Sequence, residues 1–466
     1  MDLVALKYML EQLFFTFIFI SALLLVGTLL RAKVKAFQKL FLPASVIGGF
    51  IGLLLGPIVL KQYALLPIRE DWIAIASILP GLLIIPVVAS VPLGLKKAQK
   101  RIGEKQGSKP IYTFLLILVI IGGLQNLFSL FVAFIFRKTS LPDLYPTFGT
   151  EVSAGFTGGH GTAGVVGSLL QSMDQSYWNT AQGVTTTTAT VGLIGGLLLG
   201  IFLINIAARK GYTEFIQAND RTSLTLNTGI LKTEERTSAG VETTDASSID
   251  SYGFHLALIL AVSGLAFVVT ALLKAAQIPL LSLIPEWAYA IILMYIVWGM
   301  MQKMKLAHLV DSTTKSKIAS VFTEFAIVAA IISLPIEALF TYLLPLLIMV
   351  FGTLLLTVVT VLYVSKKYFD TYWFEKSMAI LGTCTGVFLT GILLLKMVDP
   401  KLKSPVLNDY SIAYSMNSVI GFILFPLSFG LLVNSGVGVG IAFYAILLVI
   451  TIGLLVFSRR KQERTI

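Results

Sequence analysis

Long apolar runs without any charged residue dominate the pattern of the chain. Such runs occupy residues 13–30, 72–95, 111–136, 181–208, 341–365 and 410–458. A helix needs roughly 20 apolar residues to cross about 30 Å of hydrocarbon, and the last run is long enough for two crossings. The pattern therefore predicts an all-α polytopic membrane protein.

Hydropathy and flanking charges predict two groups of five spans, followed by one extra span. The first group is 8–30, 41–60, 72–95, 111–136 and 181–207; the second is 253–273, 281–302, 318–338, 341–365 and 412–434; the extra span is 436–457. Residues 208–252 between the groups carry mainly Ser, Thr and charged residues, which predicts a polar, poorly ordered cytoplasmic linker. The predicted domains are thus 1–207, 208–252, 253–434 and 435–466.

Two further stretches, about 147–172 and 371–397, are apolar but interrupted by glycine, threonine and charge. Most of the 35 lysines and arginines face the cytoplasm only if the N-terminus is outside and the C-terminus inside. This orientation requires both stretches to be re-entrant, the first from outside and the second from inside. The predicted fold class is therefore an inverted-topology repeat of two five-span halves, the plan of many secondary transporters.

Composition excludes several classes of protein. The chain is 56% hydrophobic and 13% charged, whereas soluble domains carry about 25% charged residues. The net charge of +11 lies in short clusters between apolar runs, which indicates a lipid bilayer and no nucleic-acid partner. Cys384 is the single cysteine, so no intrachain disulfide forms. Zinc-protease and serine-hydrolase motifs do not occur in the sequence, which argues against an enzyme.

The first broken segment contains Thr-Gly-Gly-His-Gly-Thr. Glycine costs a helix about 1 kcal/mol relative to alanine, and irregular backbone persists in a membrane only beside protein or a wet cavity. The motif predicts two half-helices whose free N–H groups suit a carboxylate and whose carbonyl and hydroxyl oxygens suit Na⁺. The candidate binding residues are Thr157, Gly158, Gly159, His160, Gly161 and Thr162. The alternative is glycine used for close helix packing.

The second broken segment places glycine and threonine at its vertex, and insertion from the opposite face would bring the two tips together. Its candidate binding residues are Gly382, Thr383, Thr385, Gly386 and Thr390. A plain helix–helix seam of small residues is the alternative. Lys396 and Asp399 lie one turn apart, either as an interfacial ion pair or as groups that close the site from inside.

Weaker contact candidates are Thr185, Thr186, Glu324, Asn408, Asp409 and Asn417. The hydroxyls of the threonine-rich run 185–190 have two interpretations. Either some of them line an ion path, or they donate hydrogen bonds to the carbonyls one turn earlier in the helix. Glu324 is either a functional intramembrane carboxylate or a side chain that reaches water. His160 binds substrate, senses pH or caps the broken backbone, whereas His255 is expected to be solvated.

The Gly-Gly-His-Gly-Thr sequence before a fifth span, the inverted halves and the second glycine–threonine segment together resemble the bacterial sodium/glutamate symporter family, over roughly residues 10–434. Residues 157–162 match the first motif of that family. The resemblance implies a divergent member in the bacterial cytoplasmic (inner) membrane, a homodimer in which a transport domain slides against a scaffold. It implies a small anionic solute as substrate, and Na⁺ as the coupling ion with no other cofactor.

The function predicted first is Na⁺-coupled symport of glutamate or a related amino acid or carboxylate by alternating access. The alternative within the same class is a proton- or Na⁺-coupled carrier of another small organic anion. A passive channel, in which glycine and threonine line a filter, and an integral-membrane enzyme are the competing classes.

Overall fold

The computed structural model describes residues 3–39, 42–94, 109–215, 238–276, 286–399 and 403–463, together with residues 230, 233 and 236. Within these ranges the regular secondary structure is helical and no strand occurs, which confirms the predicted all-helical class. Several predicted features lie partly outside the described residues, namely the spans 41–60, 72–95 and 281–302, the linker 208–252 and the C-terminal region 435–466.

The helices follow one another along the chain with two short 3-10 turns at Lys61–Tyr63 and Ala307–Leu309. Their bounds are α1 Leu3–Lys33, α2 Lys35–Lys39, α3 Ala44–Leu55, α4 Pro57–Leu60, α5 Glu70–Ala89, α6 Lys109–Thr139, α7 Thr150–Ser172, α8 Trp178–Lys210, α9 Ser251–Ala275, α10 Glu286–Lys303, α11 Ser312–Ile332, α12 Ile336–Thr341, α13 Leu343–Tyr368, α14 Trp373–Thr385, α15 Phe388–Val398, α16 Val406–Ser435 and α17 Val437–Glu463.

Nine helical stretches in the described part of the chain are long and apolar enough to cross a membrane. They are α1, α3 with α4, α5, α6, α8, α9, α13, α16 and α17. A multi-pass membrane protein is thereby confirmed. The predicted spans 281–302 and 318–338 correspond to α10 and α11, which are helical but are not among these nine stretches of the described residues. Length does not exclude α11, which has 21 residues but includes the charged residues Lys315, Lys317 and Glu324.

The bounds of α11 differ from the predicted span 318–338. Asp311 caps the helix by accepting a hydrogen bond from the Thr314 backbone N–H at 2.7 Å, so the helix begins at Ser312 rather than where the charges end. Pro335 follows the end of the helix at Ile332 because proline and the residue before it disfavour helical backbone. The shift moves Glu324 from near the predicted inner edge to near the middle of the helix.

The chain divides into two compact units, and both halves of the sequence contribute to each of them. The first unit contains α1–α5, the part of α7 from His160 onward, and α9–α11. Its apolar core is built by α1, α5 and α11, where Ile20, Leu79 and Val328 are among the buried side chains. Glycines allow α1 and α3 to cross closely, since Gly48 lies against the Leu23 backbone.

Polar contacts tie the ends of helices together in the first unit. Lys315 Nζ donates to the carbonyls of Ser90 and Val91 just beyond α5, at 2.9 and 3.1 Å, which satisfies groups that a helix end leaves free. His255 is fully buried, and its Nε2 accepts the Asp311 backbone N–H at 2.8 Å. The expectation that His255 is solvated was therefore wrong, because the α11 N-terminal loop covers it.

The second unit contains α6, α7 up to Gly159, α8 from Val184 and α13–α17. One of its apolar clusters joins α6, α16 and α17 through Leu130, Leu432 and Tyr444. The predicted extra C-terminal span is thus α17, and it packs on the rest of this unit.

The described parts of the predicted linker make hydrogen bonds near the helices on either side of it. Ser251 Oγ accepts the backbone N–H groups of Thr243 and Thr244 at 2.8 and 3.0 Å. At the other end, the Glu214 backbone N–H donates to the Glu375 carboxylate at 2.9 Å. Side-chain and backbone polarity in these stretches is used for local capping.

Candidate solute-binding site

The helix α7 is broken at Gly159, as the glycine-rich motif predicts. Gly159 has φ 62° and ψ −159°, and helical backbone continues on both sides of it. This combination of dihedral angles is essentially restricted to glycine, because a Cβ would clash with the backbone. The residues next to the break in the sequence are half-buried, namely Thr157 and Gly158 before it and Gly161 and Thr162 after it.

The second broken segment is interrupted between α14 and α15. Gly386 and Val387 have non-helical dihedral angles, with φ −153° and −144°, so the helix ends at Thr385 and resumes at Phe388. The Thr390 hydroxyl accepts the Val387 backbone N–H at 3.3 Å and caps the start of α15. The predicted break at this glycine–threonine vertex is confirmed.

The half-helices α14 and α15 fold back on each other. A Cβ placed on Gly382 would lie 2.6 Å from the Thr390 carbonyl oxygen and 2.7 Å from Gly391 Cα. Only glycine allows backbones to approach so closely, so Gly382 serves as a packing contact between the two arms of this hairpin. For the first segment, Gly155 instead faces α8 and Gly164 faces α5, so its re-entrant course stays a prediction.

The two breaks meet inside the second unit. A Cβ on Gly159 would lie 2.5 Å from Val387 Cγ1 and 3.6 Å from the Gly386 carbonyl oxygen. The sequence places these residues in different halves of the chain, and the fold brings them into van der Waals contact. The expectation that the two tips come together is confirmed for Gly159 and the Gly386–Val387 break.

The threonine hydroxyls near the breaks form local hydrogen bonds. Three of them donate at 2.8 Å to the carbonyl one turn earlier in the same helix, namely those of Thr157, Thr383 and Thr385. A hydroxyl that donates its proton in this way keeps oxygen lone pairs that can accept a hydrogen bond or contact a cation. The donors predicted for a solute carboxylate must therefore be backbone N–H groups rather than these hydroxyls.

Glycines of α8 hold the second segment in place. A Cβ on Gly192 would lie 2.7 Å from the Thr385 carbonyl oxygen, Gly196 packs directly on the Thr385 side chain, and Gly200 packs on Leu394. The spacing of four residues puts all three glycines on one face of α8. The run of small residues thus lets the last turn of α14 lie against the α8 backbone.

Gln125 of α6 joins both broken segments, and sequence reasoning missed it. Its Nε2 donates to the Cys384 carbonyl at 2.8 Å and to the Thr357 hydroxyl at 2.9 Å, and its Oε1 accepts from Ser153 Oγ at 3.2 Å. Cys384 lies in the last turn of α14, where carbonyls lack partners within the helix. Gln125 is fully buried, and an amide in the middle of an apolar run is the signal that could have identified it.

Tyr410 of α16 fixes the start of α15 and was also missed. Its hydroxyl donates to the Phe388 carbonyl at 3.0 Å and is hydrogen-bonded to Thr383, and its ring stacks on Phe388 at 4.8 Å. The Tyr414 ring stacks on Phe388 as well, at 4.7 Å. These aromatic contacts place the first residue after the break, but the sequence contains 16 tyrosines and no pattern distinguishes Tyr410 among them.

Each broken segment begins with a buried glutamate. The Glu151 carboxylate accepts the Thr147 hydroxyl at 2.9 Å and the Gly149 backbone N–H at 2.8 Å, within the first turn of α7. Negative charge is favourable at a helix N-terminus. Glu375 occupies the first turn of α14 and is 1% exposed.

The other predicted residues lie away from the breaks or serve local structure. Asp399 accepts the backbone N–H groups of Lys403 and Ser404 at 2.9 Å while Lys396 is exposed, so the predicted ion pair of Lys396 with Asp399 was wrong. That these groups close the site from inside stays a prediction. The side chains of Glu324 and Asn408 are exposed, and those of Asp409 and Asn417 are half-buried. His160, Thr185 and Thr186 are buried.

The meeting of two helix breaks provides chemistry for ions of both signs. A break creates one helix end with free carbonyls, which attracts a cation, and one with free N–H groups, which attracts an anion. In the second unit the C-terminal end of α14 and the N-terminal end of α15 lie beside Gly159. This arrangement suits a carboxylate and a small hard cation without any charged side chain at the vertex.

A multi-pass helical protein with paired helix breaks at a polar vertex is typical of secondary transporters. The family model of the sodium/glutamate symporters matches residues 9–394, so the chain belongs to that family and is a transporter rather than an enzyme. The match covers both breaks. A comparison with curated proteins found no match.

Proposed function

We propose that the chain carries glutamate or a closely related small carboxylate into the cell together with Na⁺, by alternating access of the elevator type, as a homodimer in the bacterial cytoplasmic membrane with its N-terminus outside and its C-terminus inside. The family supports sodium/glutamate symport in general. Our proposal goes beyond the family in four respects: the particular substrate, the elevator mechanism, the homodimer and the orientation in the membrane.

The observation that carries this proposal is the contact between Gly159 and the Gly386–Val387 break. We propose that the backbone N–H groups of Val387 and of the residues after it bind a substrate carboxylate, while carbonyls that end α14 bind Na⁺. The binding residues predicted from sequence remain those of the two motifs, with Gly382 serving mainly for packing.

Coupling follows from this arrangement in simple electrostatic terms. A carboxylate and Na⁺ that lie at adjacent helix ends neutralise each other in a medium of low dielectric constant, so each ion raises the affinity of the site for the other. The reciprocity predicts that glutamate binds weakly without Na⁺. A carrier that moves only when both ions are bound would then couple their fluxes.

Uptake of radiolabelled glutamate into proteoliposomes tests the proposal. We expect uptake with an inward Na⁺ gradient and little uptake when choline replaces Na⁺ on both sides. Uptake driven equally well by a pH gradient without Na⁺ would instead support a proton-coupled carrier. Absence of Na⁺-driven uptake for glutamate and other small carboxylates would refute the proposal, and single-channel currents in a planar bilayer would indicate a channel.

A further inference from the structure

A second polar region lies at the start of α14, far from the breaks. Glu375 in its first turn is 1% exposed. About 11 residues separate it from the break at Gly386, which corresponds to about 16 Å along a helix at about 1.5 Å per residue. A ligand at Glu375 would therefore occupy a different site from a ligand at the breaks.

One oxygen of the Glu375 carboxylate has a partner and the other has none. Oε1 accepts the Glu214 backbone N–H at 2.9 Å. Oε2 is buried and has no hydrogen-bond partner among the described residues, and no ion pair joins Glu375 to a described cation. A buried carboxylate oxygen without a partner is costly unless a cation or a donor approaches it.

The surrounding charges favour a cation over an anion. The charges of Glu214 and Asp399 act on Glu375, and the charges of four carboxylates act on the neighbouring Lys376, namely Asp409, Asp370, Glu375 itself and Glu214. Both oxygens of Asp399 are occupied by hydrogen bonds of 2.7 to 2.9 Å to Lys403 and Ser404. The region is thus rich in carboxylates, and Glu375 Oε2 is a buried oxygen in it that has no hydrogen-bond partner among the described residues.

The buried ammonium group nearby feels the charge of Glu375 but forms no ion pair with it. Lys376 is 3% exposed, and its Nζ lies over the Phe369 ring, 4.7 Å from the ring centre. Lys366 similarly lies over the Trp373 ring at 5.7 Å. Both lysines are held by cation–π contacts with aromatic faces, which leaves the Glu375 oxygen for a small cation that can enter a buried position.

We propose that Glu375 Oε2 is a ligand of a second cation site at the start of α14, which binds Na⁺. The site rests on the proposed function, because it adds a Na⁺ position to the symporter and not a new substrate. Hard cations prefer oxygen ligands, carboxylates among them. Na⁺ at this position would contact a carboxylate oxygen that is buried with no hydrogen bond and no ion pair among the described residues.

The test is the Na⁺ dependence of thermal stability of the purified full-length protein, with NaCl replacing choline chloride at constant ionic strength. We expect Na⁺ to stabilise the wild type and Glu375→Gln to raise the Na⁺ midpoint by about tenfold or more, since losing a buried charged partner costs more than the roughly 1.4 kcal/mol that tenfold represents. Glu70→Gln is the matched control, because Glu70 is exposed in the first turn of α5.

Glu375→Asp keeps the charge but retracts the oxygen, and it serves where the glutamine variant fails to fold. We expect it also to raise the Na⁺ midpoint, by less than Glu375→Gln. A wild-type Na⁺ midpoint in either folded variant overturns the site. In another outcome, a variant changes how the melting temperature depends on pH while the Na⁺ midpoint stays that of the wild type. This result also overturns the site, because Glu375 would then bind a proton rather than Na⁺.

The outcome separates this site from the proposed function. If wild-type proteoliposomes show no Na⁺-driven uptake of any small carboxylate, the proposed function fails. If they show it and Glu375→Gln keeps the same Na⁺ dependence of uptake, only the second site fails. Equal loss of stability in NaCl and choline chloride would show that Glu375 serves the fold alone and would also overturn the site.

Discussion

Replacing Gly159 with alanine perturbs the break of α7 in two separate ways. The first is the backbone, because φ 62° with ψ −159° is a conformation that a residue with a Cβ rarely adopts. Holding a non-glycine residue there costs about 1–3 kcal/mol. The second is the contact, because the new Cβ would lie 2.5 Å from Val387 Cγ1. Overpacking of this kind costs typically about 1–3 kcal/mol.

Together the two effects predict a loss of about 2–6 kcal/mol at the junction of the breaks. We expect Gly159→Ala to lower the melting temperature of the purified protein. We also expect Na⁺-driven uptake to fall by at least about tenfold, since misplacing binding groups by about 1 Å is enough for such a loss. Gly421→Ala is the control, because nothing lies within 4 Å of a Cβ at that position in α16.

The double variant Gly159→Ala with Val387→Ala separates the two causes. Removing the valine methyl groups relieves the contact but leaves the backbone strain, so we expect part of the stability to return. Additive effects of the two substitutions would mean that the residues do not touch. Wild-type uptake and wild-type melting temperature in Gly159→Ala alone would refute the account of the break.

Three further substitutions test the groups that hold the breaks in place. Gln125→Leu removes the donor to the Cys384 carbonyl, and we expect a loss of about 1–3 kcal/mol for each buried group left unsatisfied, seen as a lower melting temperature and slower uptake. Tyr410→Phe keeps the ring but loses the hydroxyl, with an expected cost of about 1–3 kcal/mol in the same assay. Gly196→Ala drives a methyl group into Thr385, and we expect it to lower uptake more than stability, because α14 shifts without unfolding.

Matched variants control two of these tests. Asn126→Leu controls for Gln125→Leu, because the Asn126 side chain donates to the Gly122 carbonyl of its own helix rather than to a broken segment. Tyr414→Phe controls for Tyr410→Phe, because the Tyr414 ring also stacks on Phe388. If a control variant loses as much stability and uptake as its partner, the contacts assigned to the break are not the cause.

Much of the fold could be predicted because the relevant signals are local. Uncharged runs give the membrane spans, and glycine marks the breaks at Gly159 and Gly386, since each sits in backbone that is not helical. The start of α11 was misplaced because the hydropathy window detects where charges end, whereas the helix begins at its cap, Asp311. Caps depend on one side-chain hydrogen bond, to which hydropathy is insensitive.

The contacts that shape the candidate site could not be predicted because they join distant parts of the chain. Gln125 and Cys384 are 259 positions apart, so neither reveals the other in the sequence. Lys396 and Asp399 suggested an ion pair by their spacing of one turn. The chain instead turns at Asp399, whose carboxylate takes the nearer backbone donors of Lys403 and Ser404. The Asp399 carboxylate thus binds nearby backbone N–H groups instead of the lysine side chain that the spacing in the sequence favours.

The central claim is that solute and Na⁺ bind where the breaks meet, and protection of an introduced cysteine tests it most directly. Thr157→Cys, in a background with Cys384→Ala, places a half-buried thiol two residues before Gly159. We predict that glutamate with Na⁺ slows its reaction with a maleimide severalfold, whereas neither ligand alone does so, and that Thr139→Cys at the exposed end of α6 reacts equally under all conditions. Equal reaction of Thr157→Cys with and without both ligands, in protein that transports, would contradict the claim.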